Sequence, residues 1–126
     1  MKRFYFSLFI IALMVALSIF TLNHLYKTKN QLIEKIDSIA FSIQGNDKSA
    51  AAQKTKELTD AWKQVEPQMI RYVRHSEIDL ITSIVARLEP LLIYQNTSEF
   101  MANLNEMRTM VEHVWESEVP NFTNLF

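Results

Sequence analysis

The chain has 126 residues, enough for one small domain. It carries 13 Lys and Arg against 14 Asp and Glu, a net charge of −1 with the histidines neutral; this lacks the basic footprint that nucleic acid requires, and no nucleic-acid partner is expected. There is no cysteine, which excludes disulfides, Cys-ligated zinc and a lipid-modified cysteine anchor.

After a short basic tail, residues 1–3, the stretch "FYFSLFIIALMVALSIFTLN" (residues 4–23) contains no charged residue. A helix needs about 20 mostly apolar residues to cross a hydrocarbon core of about 30 Å, and this segment qualifies as a transmembrane helix. A cleaved signal peptide is the competing reading, with Ala16-Leu17-Ser18 as a small-x-small site. The apolar run continues past that site through Ile19, Phe20 and Leu22, longer than the about 7–15 residues of a signal core, and so favours an uncleaved anchor. Lys2 and Arg3 flank one side of the span, and Lys27, Lys29 and Lys35 the other. A short tail is most easily left in the cytoplasm, giving the expectation of a single-pass protein with its N-terminus inside and its domain outside. Within the span, Ala12 and Ala16 form a small-x-x-x-small pair that would let another helix approach.

The rest of the chain, residues 24–119, reads as an all-α bundle. It holds the single glycine, Gly45, and few helix breakers. Apolar residues recur at steps of three and four, the mark of a buried helical stripe. Leu32, Ile36, Ile39 and Ile43 form the first stripe, and Leu58, Trp62, Val65, Met69 and Tyr72 the second. Ile78, Ile81, Val85, Leu88 and Leu92 form the third, and Phe100, Leu104, Met107, Val111 and Val114 the fourth. Nothing breaks the chain between Asn23 and Gln44, so the first helix is expected to run from the membrane directly into the domain. Gly45 is expected as a left-handed cap, followed by Asn46 or Asp47 as the next N-cap. Pro67 predicts a kink, or a break near Glu66, and Pro90 a bend late in the third helix. Asn96, Thr97 or Ser98 is the N-cap of the fourth helix, which Pro120 ends. Short connections imply an antiparallel up-down-up-down topology. The turn at His75 and the tail, residues 120–126, should then both lie near the membrane.

Between the second and third helices stands "RYVRHSEIDLI", residues 71–81. Ser76-Glu77-Ile78-Asp79 has the form of a capping box, with Ser76 as N-cap and Asp79 reaching back to it. Arg71 and Arg74 suit the end of one helix dipole, Glu77 and Asp79 the start of the next. His75 is expected to pair with a carboxylate of the fourth helix. A second reading makes this corner a metal cradle: His75 and Asp79 share a face, and the returning fourth helix would bring His113 and Glu116, with Glu112 and Glu118, for zinc, iron or manganese. Close ligand spacing such as H-E-x-x-H is missing, so the sequence implies no cofactor.

No nucleophile elbow, phosphate-binding glycine loop or dinucleotide fingerprint occurs, and no enzymatic activity is read from the chain. Trp62 and Trp115 lie in or beside the stripes and are expected in the core. Asn96-Thr97-Ser98 and Asn121-Phe122-Thr123 match the glycosylation sequon, a short pattern common by chance. The apolar tail residues Phe122, Leu125 and Phe126 either dock on the bundle or anchor a partner.

The N-terminal span, Trp62, "RHSEID" at 74–79 and "NLF" at 124–126 together resemble the family known as domain of unknown function 4363. These are small membrane-anchored bacterial proteins, mainly of clostridia and their relatives. The resemblance implies a bacterial cytoplasmic-membrane protein with no assigned activity. It also implies an accessory role beside a multi-pass membrane protein of the YetF-like type. The expected function is therefore a non-enzymatic interaction subunit of a membrane complex, with an extracytoplasmic small-ligand or metal-binding sensor as the alternative.

Overall fold

The computed structural model describes residues 1–117, which form four helices and no strand. These are α1 (Lys2–Gln44), α2 (Lys48–Met69), α3 (His75–Ile93) and α4 (Thr97–Ser117). α1 packs on α2 and α4, and α3 packs on the same two helices from the other side, so each helix touches its neighbours around a ring. The expected antiparallel bundle follows. The tail residues Phe122, Leu125 and Phe126, together with Glu118 and Pro120, lie outside the described residues.

α1 is 43 residues long and has two parts. Every residue from Met1 to Phe20 is exposed. From Leu25 onward, Leu25, Thr28, Leu32, Ile36, Ile39 and Ser42 are buried at helical spacing. By length and composition this one helix is able to cross a membrane, and its apolar window is wholly unburied. The exposed part rises roughly 28 Å at 1.5 Å per residue, close to the thickness of a hydrocarbon core.

The core is assembled from the expected stripes. Ile36, Leu58, Trp62, Ile81, Leu88, Phe100, Met107 and Val111 are among its fully buried members. Both tryptophans also tie helices together. The Trp62 indole Nε1 donates to Thr82 Oγ1 at 3.0 Å, joining α2 to α3, and Trp115 Nε1 donates to the Leu25 carbonyl at 2.7 Å, joining α4 to α1. Tyr72 departs from the second stripe: α2 ends at Met69, so Tyr72 falls in the turn and is exposed.

The two turns at the end away from the apolar segment share one backbone design. Gly45 is an ordinary C-cap at φ −82°, and the left-handed position falls on the next residue, Asn46, at φ 58°. Asn46 N–H donates to Ile43 O and Asp47 N–H to Ser42 O, the paired bonds of a Schellman motif. Gln95 repeats this at φ 58°, with Gln95 N–H on Leu92 O and Asn96 N–H on Leu91 O. The expected left-handed Gly45 is thus corrected by one position, because the motif places its positive-φ residue after the C-cap. In each turn the following residue caps the next helix. Asp47 Oδ1 accepts from Ala50 N–H at 3.1 Å, and Asn96 Oδ1 from Glu99 N–H at 3.3 Å.

The prolines do not break their helices. Pro67 lies in the last turn of α2, which continues to Met69, and Pro90 in the last turn of α3, which continues to Ile93. The donors they remove would have served Lys63 and Ala86. Both of those residues lie on the exposed side of their helices, where a missing helix bond costs less than in the core.

Candidate functional site at the base of the bundle

The turn between α2 and α3 sits beside the end of the exposed apolar segment. His24 Nε2 lies 3.3 Å from Gln68 Oε1, linking α1 to the end of α2. Phe20, Thr21 and His24 of α1 and Gln68, Arg71 and Tyr72 of the turn enclose a groove of about 210 Å³. Backbone bonds from Tyr72 and Val73 to Met69 O fold the turn tightly. Met69 and Val73 are buried on its shoulders, while Ile70, Arg71 and Tyr72 point outward.

The helix that follows starts two residues earlier than the capping box requires. α3 begins at His75; its N-cap is Arg74, extended at φ −61° and ψ 138°, with no side-chain capping bond. Glu77 and Ile78 N–H both donate to the Arg74 carbonyl. Ser76 is already the second helical residue, so neither it nor Asp79 forms the expected cap. Glu77, in the first turn, still suits the helix dipole.

The same register decides the metal reading. Ile78, Ile81, Ile84, Val85 and Leu88 point to the core. His75 and Asp79 do share a face, four residues apart, but both are exposed. Glu77 is the residue turned toward α4. Its Oε1 lies 3.7 Å from His113 Nε2, and its Oε2 is buried without a hydrogen-bond partner. Among the described residues no α4 carboxylate pairs with His75, and the contact between these helices runs the other way, with the histidine from α4 and the carboxylate from α3. Glu116 is exposed as well. Among the described residues, no three His, Asp or Glu side chains gather to hold a metal, so His75, Asp79, His113 and Glu116 are not brought together as a cradle.

Sequence reasoning missed a charged cluster on α1 and α4. Arg108 Nε donates to Asp37 Oδ1 at 2.9 Å and Nη1 to Glu112 Oε1 at 2.6 Å. The hydrogen bond to Asp37, and next the Asp37 charge, hold the guanidinium above its ordinary pKa. Arg108 and Glu112 stand four apart, a readable helix pair. Asp37 is 71 positions away and carries no local signal.

Ala12 and Ala16 lie on the exposed apolar part of α1. At the opposite end of the bundle, Ile43, Ala52, Leu92 and Ile93, with Lys48 and Glu89, border a second groove of about 200 Å³.

A small antiparallel helical bundle carried on a long, exposed apolar helix is the class of protein these features define. The chain belongs to the family described as Domain of unknown function (DUF4363), whose family model matches residues 19–125. That match begins in the last turns of the apolar segment and covers the whole described bundle. Neither curated proteins nor solved structures gave a match.

Proposed function

We propose that the protein is a non-enzymatic, membrane-anchored accessory subunit of a bacterial membrane protein complex. The observation that supports this reading is α1: its first part exposes about one bilayer thickness of apolar side chains, and the same helix then becomes a core element of the bundle. Such side chains are stable in hydrocarbon and costly in water. Lys2 and Arg3 favour a cytoplasmic N-terminus, with the bundle outside the cytoplasmic membrane. An unbroken helix transmits any tilt of the span to the bundle, a property suited to a partner-bound subunit. The partner would be a multi-pass membrane protein, as the YetF-like association implies. It would meet Ala12 and Ala16 along the span and the tail residues Phe122, Leu125 and Phe126.

The sensor alternative has weaker support. The distal groove of about 200 Å³ is smaller than the roughly 300–1,000 Å³ of ordinary small-molecule sites, and the groove of about 450 Å³ between α1 and α2 has the size but is walled by Gln31, Glu34, Lys35, Ser38, Lys54 and Glu57 instead of the apolar side chains such sites present.

Crosslinking followed by purification of the full chain from native membranes is the test. The expected result is one multi-pass protein in constant ratio to the chain. Deleting residues 121–126 should reduce that recovery and leave the thermal melt unchanged. Recovery of the chain alone after crosslinking would contradict the accessory role.

A further inference from the structure

We propose that the α2–α3 turn is a second membrane contact, in which the groove between Phe20 and Arg71 holds the phosphate headgroup of an anionic phospholipid. The inference rests on the anchor reading given above and adds a specific lipid contact to it. Continuity with the apolar segment places the turn. Phe20 is on the last exposed turn of that segment and Arg71 and Tyr72 are on the facing wall of the same groove, so a bilayer that ends near Phe20 has its headgroups at the groove. Charge complementarity selects the occupant. The described lining contains the cationic Arg71, with His24 beside it, and no carboxylate. The nearest acidic groups in sequence, Glu66, Glu77 and Asp79, lie outside the groove. Arg71 makes no hydrogen bond or ion pair among the described residues, leaving its planar donors available for phosphate oxygens. Ile70 and Tyr72 flank it and are 41% and 40% exposed. An apolar side chain, an arginine and a tyrosine in succession match the composition of the membrane interface. Met69 and Val73, both buried, pin the turn from either side and preset its outward face.

Two contacts, the span and the turn, would fix the bundle upright on the bilayer instead of leaving it to swivel about α1. The absence of cysteine makes single-cysteine labelling clean. Full-length protein would be labelled with an environment-sensitive fluorophore at Leu13→Cys, Ile70→Cys or Tyr94→Cys and placed in nanodiscs of phosphatidylcholine alone or with phosphatidylglycerol. Iodide quenching then reports access from water. The expected pattern is a shielded Leu13 label, an Ile70 label shielded with phosphatidylglycerol, and a quenched Tyr94 label at the far end. Arg71→Gln should lower the shielded-to-accessible ratio at Ile70 about fivefold, the equilibrium factor for one basic residue at an anionic surface. An Ile70 label as accessible as Tyr94 while Leu13 stays shielded overturns the headgroup contact and leaves the anchor intact. A quenched Leu13 label overturns both. Shielding that ignores lipid charge and Arg71→Gln overturns the anionic headgroup as occupant. Shielding found only in native membranes assigns the turn to a protein and overturns the lipid contact.

Discussion

Trp115 closes the bundle on α1 by donating its indole N–H to the Leu25 carbonyl at 2.7 Å, across 90 positions of sequence. Leu25 is the first buried residue after the apolar segment, so this bond secures α4 at the point where α1 enters the bundle. Trp115→Phe keeps most of the ring volume but removes the donor. Losing a buried hydrogen bond of this kind costs about 1–3 kcal/mol, and Trp115→Ala should cost about 3–5 kcal/mol through the added cavity. Denaturant unfolding of detergent-solubilised protein would measure both. Equal, small losses would mean that Trp115 contributes little to closure.

Ser76→Ala should be almost neutral. Ser76 lies inside the helix and Arg74 occupies the N-cap, so the change should fall within about 0.5 kcal/mol, as for ordinary surface sites. Asp47→Ala, at a cap whose side chain does bond Ala50 N–H, should cost about 0.5–2 kcal/mol. Parallel denaturant curves for the two variants decide the matter; a larger loss for Ser76→Ala would restore the capping box.

Gln95→Gly should stabilise the fold. Gln95 is left-handed at φ 58°, a conformation that opposes an L side chain by about 1–2 kcal/mol. Glycine removes that strain and adds about 0.5–1 kcal/mol of chain entropy to the unfolded state, which leaves a net gain of about 0.5–1 kcal/mol. A raised melting temperature is the readout, and a lowered one would show that the Gln95 side chain has a stabilising role of its own.

The Arg108–Asp37 contact should respond to salt and not to alkaline pH. Both side chains are partly exposed, so Asp37→Asn should cost about 0.2–1 kcal/mol, and the difference should shrink as salt screens the pair. Arg108 is raised above its ordinary pKa, chiefly by Asp37. A group raised on folding contributes stability that is complete below its unfolded pKa and is lost only as pH rises through the folded one. For a guanidinium that window lies beyond moderately alkaline pH, so wild type and Asp37→Asn should keep a constant gap from neutral into mildly alkaline buffer. Melting curves at two salt concentrations and across that pH range check both statements.

The bundle was legible because burial imposes a period that local sequence records. Leu32, Ile36 and Ile39, or Leu104, Met107 and Val111, announce their shared face without any partner in view. Boundaries were less legible. The S-x-x-D pattern at Ser76 suits a cap, yet the extended backbone at Arg74 starts the helix two residues earlier. That shift leaves His75 and Asp79 in solvent and turns Glu77 toward His113. Tyr72 continued the second stripe on paper, but the helix had already ended at Met69. The groove between Phe20 and Arg71 joins segments about fifty positions apart, and no periodicity within either segment signals their meeting.

Accessibility of single cysteines in intact cells tests the account most directly. Full-length chains carrying Leu13→Cys or Gln95→Cys would be exposed to a membrane-impermeant maleimide before and after lysis. The account predicts that Gln95→Cys is labelled in intact cells, that Leu13→Cys resists labelling even after lysis while the bilayer remains, and that both chains stay with the membrane fraction. Labelling of Gln95→Cys only after lysis would contradict the proposed orientation, and recovery of either chain in the soluble fraction would contradict the anchor.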